Sequence, residues 1–275
     1  MQKLRAALSA ALNNEPSVSL DLAALEMASI ETPGLEAEPW LAELDRIASG
    51  VADRMRRETS GPAFIRVANG YLFHELGFLG NQAEYNDPRN SCLDQVLTRR
   101  LGLPITLSLI YMEVARRLGR QVCGIGLPGH FIVQYNDGAV KAFLDPFHGG
   151  KLLDEKDCLQ LAQDIAGVDV TRDPRLLQPV DKRYILMRML NNLQAAYFRA
   201  QQFEKASATL DVLISAAPEA HDYYKARAIA RMHLREFRDA STDFNAYLRL
   251  APKAADKDEV RRQLSAIHRW LGAVN

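Results

Sequence analysis

Cysteine is scarce in this chain. Cys92, Cys123 and Cys158 are the only thiols in 275 residues. They are too few, and odd in number, for a disulfide framework, and their scarcity points to a reducing, cytoplasmic compartment. An excess of charge of one sign is also missing, since 34 basic side chains balance 34 acidic ones. Nucleic-acid binders carry a basic excess, so that class of partner is not expected. No apolar run approaches the ~18 residues that a bilayer span needs, which sets a membrane partner aside as well. The N-terminal stretch MQKLRAALSAALNNEP has a basic start, yet its short apolar run reads as an amphipathic helix instead of a secretion signal.

What is present is the balance of a globular chain, 48% apolar and 25% charged. The first 80 residues carry helical spacing almost throughout. Leu4, Leu8 and Leu12 share one face, and Pro33-Gly34 stops the run SLDLAALEMASIE. Trp40, Leu41, Leu44 and Ile47 mark a further helix. The segment NDPRNSCLDQVLTRRLG then predicts a turn followed by a helix. LPITLSLIYMEVARRLG predicts a second, more apolar helix, with Pro104 in its first turn, where proline is tolerated. Beyond Gly119 the texture changes to Val, Ile, Phe and Gly, as in strands and turns.

The stretch GLPGHFIVQYNDGAVKAFLDPFHGG supports a geometric expectation. Asp137-Gly138 is a favoured two-residue hairpin turn, which pairs Asn136 with Ala139 and sets His130 directly across from Asp145. Ile132, Gln134, Lys141 and Phe143 share the face of His130, the less apolar one. Phe131, Val133, Tyr135, Val140, Ala142 and Leu144 form the other, a core face. If Asn136 joins the loop and makes a bulge, the pair becomes diagonal but stays close. Period-two alternation alone thus brings an imidazole and a carboxylate together.

From about residue 192 the chain repeats with a period of 34. Phe203 recurs as Phe237, Ala206 as Ala240, Leu210 as Phe244 and Pro218 as Pro252. That period, with alanines for close helix packing and a proline ending each second helix, matches tetratricopeptide helix-turn-helix units. Two units are expected, followed by a capping helix with Val260, Leu264, Ile267 and Leu271 facing inward. Lys225, Arg227, Arg231 and Arg235 suggest a basic face on the second unit, suited to an acidic partner.

The blocks NDPRNSCLDQVLTRRLGLPITLSLIYMEVARRLG, GIGLPGHFIVQY and FLDPFHGGKLL, read together with the repeats, resemble the transglutaminase-like SirB-type bacterial family across nearly the whole chain. The resemblance implies an α+β fold. A papain/transglutaminase-like domain with a helical N-terminal region and a small antiparallel sheet (residues 1–175) precedes an all-α tetratricopeptide-repeat region (176–275). Active transglutaminase-like enzymes open the central helix on a cysteine that an imidazole activates and a carboxylate orients. His130 and Asp145 match the imidazole and carboxylate of that family, whereas the cysteine position falls at Pro104.

Two readings follow. One is a non-catalytic interaction or regulatory protein on a degenerate transglutaminase-like domain, with a protein or peptide partner held by a groove and by the repeats. Arg89, Asn90, Pro104 and His148 are the candidate groove residues. The other is a cysteine hydrolase or acyl-transfer enzyme using Cys92, His130 and Asp145, with Cys92 in the first turn of a helix where the dipole favours a thiolate. Cys123, in an apolar strand, and Cys158, at a helix start, read as structural. His148 reads as a loop-exposed histidine, with a ligand or a second base as the alternatives. Convergence of His130, Asp145 and His148 is left open by the sequence, but no ligand-spacing motif supports a metal site there, and neither a metal nor a cofactor is expected.

Overall fold

A computed structural model of the chain describes residues 6–167, 173 and 175–274. They divide into two compact units, the first ending at Met189 and the second beginning at Leu190. Among them no helix is long and apolar enough to cross a membrane.

The first unit opens with helices α1 (Ala6–Leu12), α2 (Leu20–Ala28), α3 (Glu38–Met55) and α4 (Gly61–Asn69), the last continued by a π-helical turn at Gly70–Glu75. Two very short strands, β1 (Leu79–Gly80) and β2 (Leu101–Gly102), pair in parallel on either side of a 3₁₀ turn (Pro88–Ser91) and α5 (Leu93–Arg99). The central helix α6 (Pro104–Arg117) is buried along almost its whole length. Its start is tightly specified. Pro104 occupies the first turn, where a backbone donor would go unused. The Thr106 hydroxyl accepts from the Leu103 amide at 2.9 Å and donates to the Asn90 carbonyl at 2.8 Å.

An antiparallel sheet follows in the order β3 (Val122–Leu127), β4 (His130–Asn136), β5 (Lys141–Asp145), β6 (Lys151–Leu153). Helix α7 (Glu155–Ala166) comes next. In β4 every residue from His130 to Tyr135 is buried, so both faces of the sheet are covered. On one face the Phe64 ring bridges Tyr135 of β4 and Tyr111 of α6, at 5.7 and 6.2 Å between centroids. On the other face Ile125, Leu127, Ile132 and Phe143 pack with Cys158 and Ala162 of α7. The His130 face is therefore apolar as well. Alternation along β4 does not disclose this, because the covering helix lies beyond the hairpin in sequence.

The hairpin register corrects the expectation of direct opposition. Val133 pairs with Leu144 and Asn136 with Lys141, leaving Asp137–Val140 as a four-residue loop. The Asp137 carboxylate accepts from the Ala139 and Val140 amides at 3.0 and 2.8 Å, and the Asn136 side chain accepts from the Gly138 amide at 3.0 Å. Side-chain capping of that kind satisfies the donors of a longer loop, so the two-residue turn does not form. The shift is by an even number of residues, so each side chain keeps its face. His130 and Asp145 are diagonal neighbours.

A buried ionic knot ties α2, α3 and α6 together. Arg117 reaches Asp21 at 2.7 Å, Glu113 at 2.9 Å and Asp45 at 2.6 Å. Asp21 and Glu113 are almost wholly buried. Burial, and then the neighbouring Asp21 charge, pushes the Glu113 carboxyl above its ordinary value.

The second unit contains the C-terminal part of α8 (Lys182–Arg199), then α9 (Phe203–Ala216), α10 (His221–His233), α11 (Phe237–Leu250) and α12 (Lys257–Val274). Ala206, Leu210, Ala240 and Phe244 are fully buried, as the repeat pattern requires. Val260 and Ile267 of α12 are buried beside partly buried Leu264 and Leu271. The expected basic face is corrected. Arg227 binds Asp243 at 2.7 Å and Asp211 at 2.6 Å, Arg231 binds Asp243 at 2.8 Å, and Lys225 binds Asp256 at 2.8 Å. Lys225, Arg227 and Arg231 are thus neutralised within their own unit by carboxylates of α9, of α11 and of the turn before α12, which a reading of α10 alone does not reveal, while Arg235 of the expected face is exposed.

Replacing Arg117 with Met would leave the buried Asp21 with only the longer Arg116 contact at 3.3 Å, while Glu113 keeps Arg116 at 2.7 Å. The expected loss is roughly 3–5 kcal/mol, the usual cost of breaking a buried pair from one side. Urea unfolding of wild type and variant measures it.

Candidate functional site

His130 is placed by a Pro128-Gly129 turn. Leu127 pairs with His130 across it, and Gly129 takes φ 63°, a left-handed conformation that glycine adopts without strain. Asp145 ends β5 and caps the 3₁₀ turn Pro146–His148, its Oδ1 accepting from the Phe147 amide at 3.1 Å. The turn then reverses through Gly149 and Gly150, both at positive φ.

The remaining oxygen of Asp145 is shared by two histidines. Oδ2 lies 2.9 Å from His130 Nε2 and 2.7 Å from His148 Nδ1. An ionised carboxylate only accepts, so both of these nitrogens carry protons. The imidazoles lie 5.7 Å apart at 28°, and the Phe147 ring meets both edge-on. His130 and Asp145 are buried, whereas 43% of the His148 side chain is exposed. Burial by itself would raise the Asp145 carboxyl. The His130 and His148 bonds and charges outweigh it and hold the group below its ordinary value.

Beside the site lies a cleft of about 360 Å³ lined by Asp145, His148, Lys151, Asp157 and Asp164, among others. On α7 the Cys158 thiol is buried and is pushed up to about 12, by burial first and then by the carboxylates of Asp157, Asp154 and Asp145.

Of the residues singled out in the sequence, His130, Asp145 and His148 come together, their ligand-type atoms all within 4.8 Å of one another. No cysteine belongs to that group. Cys92 stands before α5 as its N-cap, outside the expected first turn, and its side chain is fully buried with Sγ donating to the Pro88 carbonyl at 3.7 Å. Cys123 is exposed on β3, contrary to a structural role, whereas Cys158 is packed in the core.

The groove expectation is corrected at two positions. Asn90 is fully buried, donating to the Glu84 carbonyl at 2.7 Å and accepting from Asn81 at 3.0 Å, so it holds the loop from inside. Pro104 is buried as well, and Arg89 is turned onto Asp87 at 2.8 Å. Two neighbours escaped the sequence reading. Arg188 of α8 donates to the His130 carbonyl at 2.7 Å, and the Tyr85 ring meets Phe147 edge-on at 6.0 Å. Tyr85 lies just before the DPRNS block, while Arg188 lies beyond the Pro-containing stretch, where no local pattern marks it.

A buried helix packed on an antiparallel sheet that carries an imidazole–carboxylate pair defines a transglutaminase-like domain. A family model for the transglutaminase-like superfamily matches residues 38–191, and a tetratricopeptide-repeat model matches 193–265. The chain belongs to this superfamily, in the SirB-type group that adds tetratricopeptide repeats. It is 34% identical over 260 residues to a UPF0162 protein of Xylella fastidiosa, covering 91% of this chain and 90% of that one. Protein SirB1 of Salmonella typhimurium is 22% identical over 256 residues, 93% of this chain and 94% of its own length. F-box only protein 21 of Homo sapiens is 32% identical over 162 residues, 55% of this chain and 25% of that protein.

Asp145→Asn removes the charge that accepts from both histidines. At about pH 7 the expected cost is about 2 kcal/mol, as for hydrogen bonds to an ionised group. Because the folded-state carboxyl lies below its ordinary 3.8, this contribution is complete above about 3.8 and fades as pH falls through the lower folded value. Unfolding titrations across that range are expected to show the wild type and variant converging in acid.

Proposed function

We propose that the chain is a non-catalytic protein-interaction protein of the cytoplasm. Its transglutaminase-like domain keeps the imidazole and carboxylate of a thiol enzyme without the thiol, and its tetratricopeptide units hold a peptide or helix of a partner. One observation carries the reading: the group around His130 contains no cysteine, although its imidazole–carboxylate pair is complete. Pro104, which opens α6, has no nucleophilic atom, and the Cys92 side chain lies in the core. Tetratricopeptide arrays offer extended surfaces suited to binding. The match to one quarter of F-box only protein 21 fits a domain used as a module within larger proteins. No disulfide joins the three thiols, in keeping with a reducing compartment.

The competing reading, a hydrolase or acyl-transfer enzyme acting through Cys92, separates cleanly by thiol chemistry. In the folded protein, iodoacetamide is expected to label Cys123 well before Cys92, and His130→Ala is expected to leave the Cys92 rate unchanged across pH. A fast Cys92 reaction whose pH profile moves in the His130 variant would establish the enzyme instead. A partner recovered with the full chain and rebuilt from purified components is expected to bind Cys92→Ser as tightly as wild type.

A further inference from the structure

We propose that His130, Asp145 and His148 form a binding site for a divalent transition-metal ion of the zinc type, reached from the acidic cleft beside α7. The donor set is two imidazoles and one carboxylate, whose ligand-type atoms lie within 4.8 Å of one another. Three protein ligands of this kind, with a fourth position left open, are the composition of an open zinc site. The two imidazoles aim Nε2 of one ring and Nδ1 of the other at a single oxygen, Asp145 Oδ2. An ion bound there takes the place of the two N–H protons that now lie between those nitrogens and the carboxylate, and the protons leave to solvent.

The fit needs only a small adjustment. With metal–ligand distances of about 2.0–2.2 Å, tetrahedral donors stand about 3.3 Å apart. The present N···O separations are 2.9 and 2.7 Å, so the donors must part by about half an ångström. His148 can supply most of that movement, because it stands on a short turn with 43% of its side chain exposed. The His130–Asp145 separation opens by a small turn of those two side chains, while the backbone that carries them stays fixed. Asp145 Oδ1 is held by the Phe147 amide, as a ligand's outer shell should hold it, and the His130 carbonyl is held by Arg188.

The surroundings favour a cation. Asp145, Asp157 and Asp164 face the cleft opposite a single ammonium, Lys151. The open side of His148 lines the same cleft, which gives the ion an entry path and leaves room for water or a ligand in its fourth position. Burial, and then the carboxylates of Asp157, Asp154 and Asp145, push the Cys158 thiol up, and it is not one of the clustered donors. A purely hydrogen-bonded His–Asp–His relay is the alternative occupant of this geometry.

The experiment uses the full chain, freed of any histidine tag and of metal, and titrated with Co²⁺ and Zn²⁺. One ion per chain is expected, with the visible absorption bands of four- or five-coordinate cobalt that zinc then displaces. His148→Ala and Asp145→Asn are each expected to weaken zinc binding by at least about tenfold. Zinc should raise the melting temperature of the wild type and leave that of His148→Ala unmoved. His148→Ala removes an exposed side chain, so its metal-free melting temperature tests whether the variant is folded. Absence of one-to-one binding overturns the proposal in favour of the hydrogen-bonded relay. Equal affinity in wild type and His148→Ala overturns it as well, since the ion would then be held elsewhere.

Discussion

One buried carboxylate organises the first unit's site. Asp145 ends a strand, caps the turn that follows and accepts from two imidazoles, with both of its oxygens in use. A carboxylate removed from water is costly unless it is fully hydrogen-bonded, and here the bonds outweigh the burial. That balance fixes the orientation of His130, brings His148 back over the sheet and sets the 3₁₀ turn against which the aromatic rings pack.

The rest of the unit holds that carboxylate in place. Helix α6 backs the sheet, and its start is locked through Thr106 and Asn90. Arg117 ties its other end to α2 and α3 through Asp21 and Asp45. Helix α7 closes the opposite face with Cys158 and Ala162. Burial on both sides lowers the local dielectric, which strengthens each bond in the His–Asp–His group and raises the cost of leaving one unmade. A thiol enzyme would draw on such surroundings to activate a cysteine. In this chain they surround a pair of imidazoles with no sulfur in the group.

The second unit follows the same economy of charge. Arg227 and Arg231 occupy places where leucine and tyrosine are usual in the repeat, and they converge on Asp243, which is 2% exposed. Cations that resemble a docking surface in sequence are spent on internal pairing, because the helices bring Asp211 and Asp243 around to them.

The repeats and the imidazole–carboxylate pair were legible in the sequence because each signal is local or periodic, whereas the transglutaminase-like domain was legible through the family resemblance that the DPRNS, LPGHF and DPF blocks carry. The Asp137-Gly138 turn signal and strand alternation put His130 and Asp145 on one face, and a 34-residue recurrence marked the helix pairs. An even register shift could not disturb that pairing of faces, so the diagonal contact survived the loop that the turn reading missed. What local pattern does not carry is who covers whom. That α7 seals the His130 face, that Asn90 points inward and that Arg188 reaches the His130 carbonyl are decided by packing between segments apart in sequence, while His148 reaches the shared oxygen through the short turn that Asp145 caps. The sequence by itself determined the elements, the repeats and the imidazole–carboxylate pair. The tertiary structure decided that a second histidine completes the group and that Cys92 is shut in the core, because side-chain burial depends on neighbours that only the folded chain assembles.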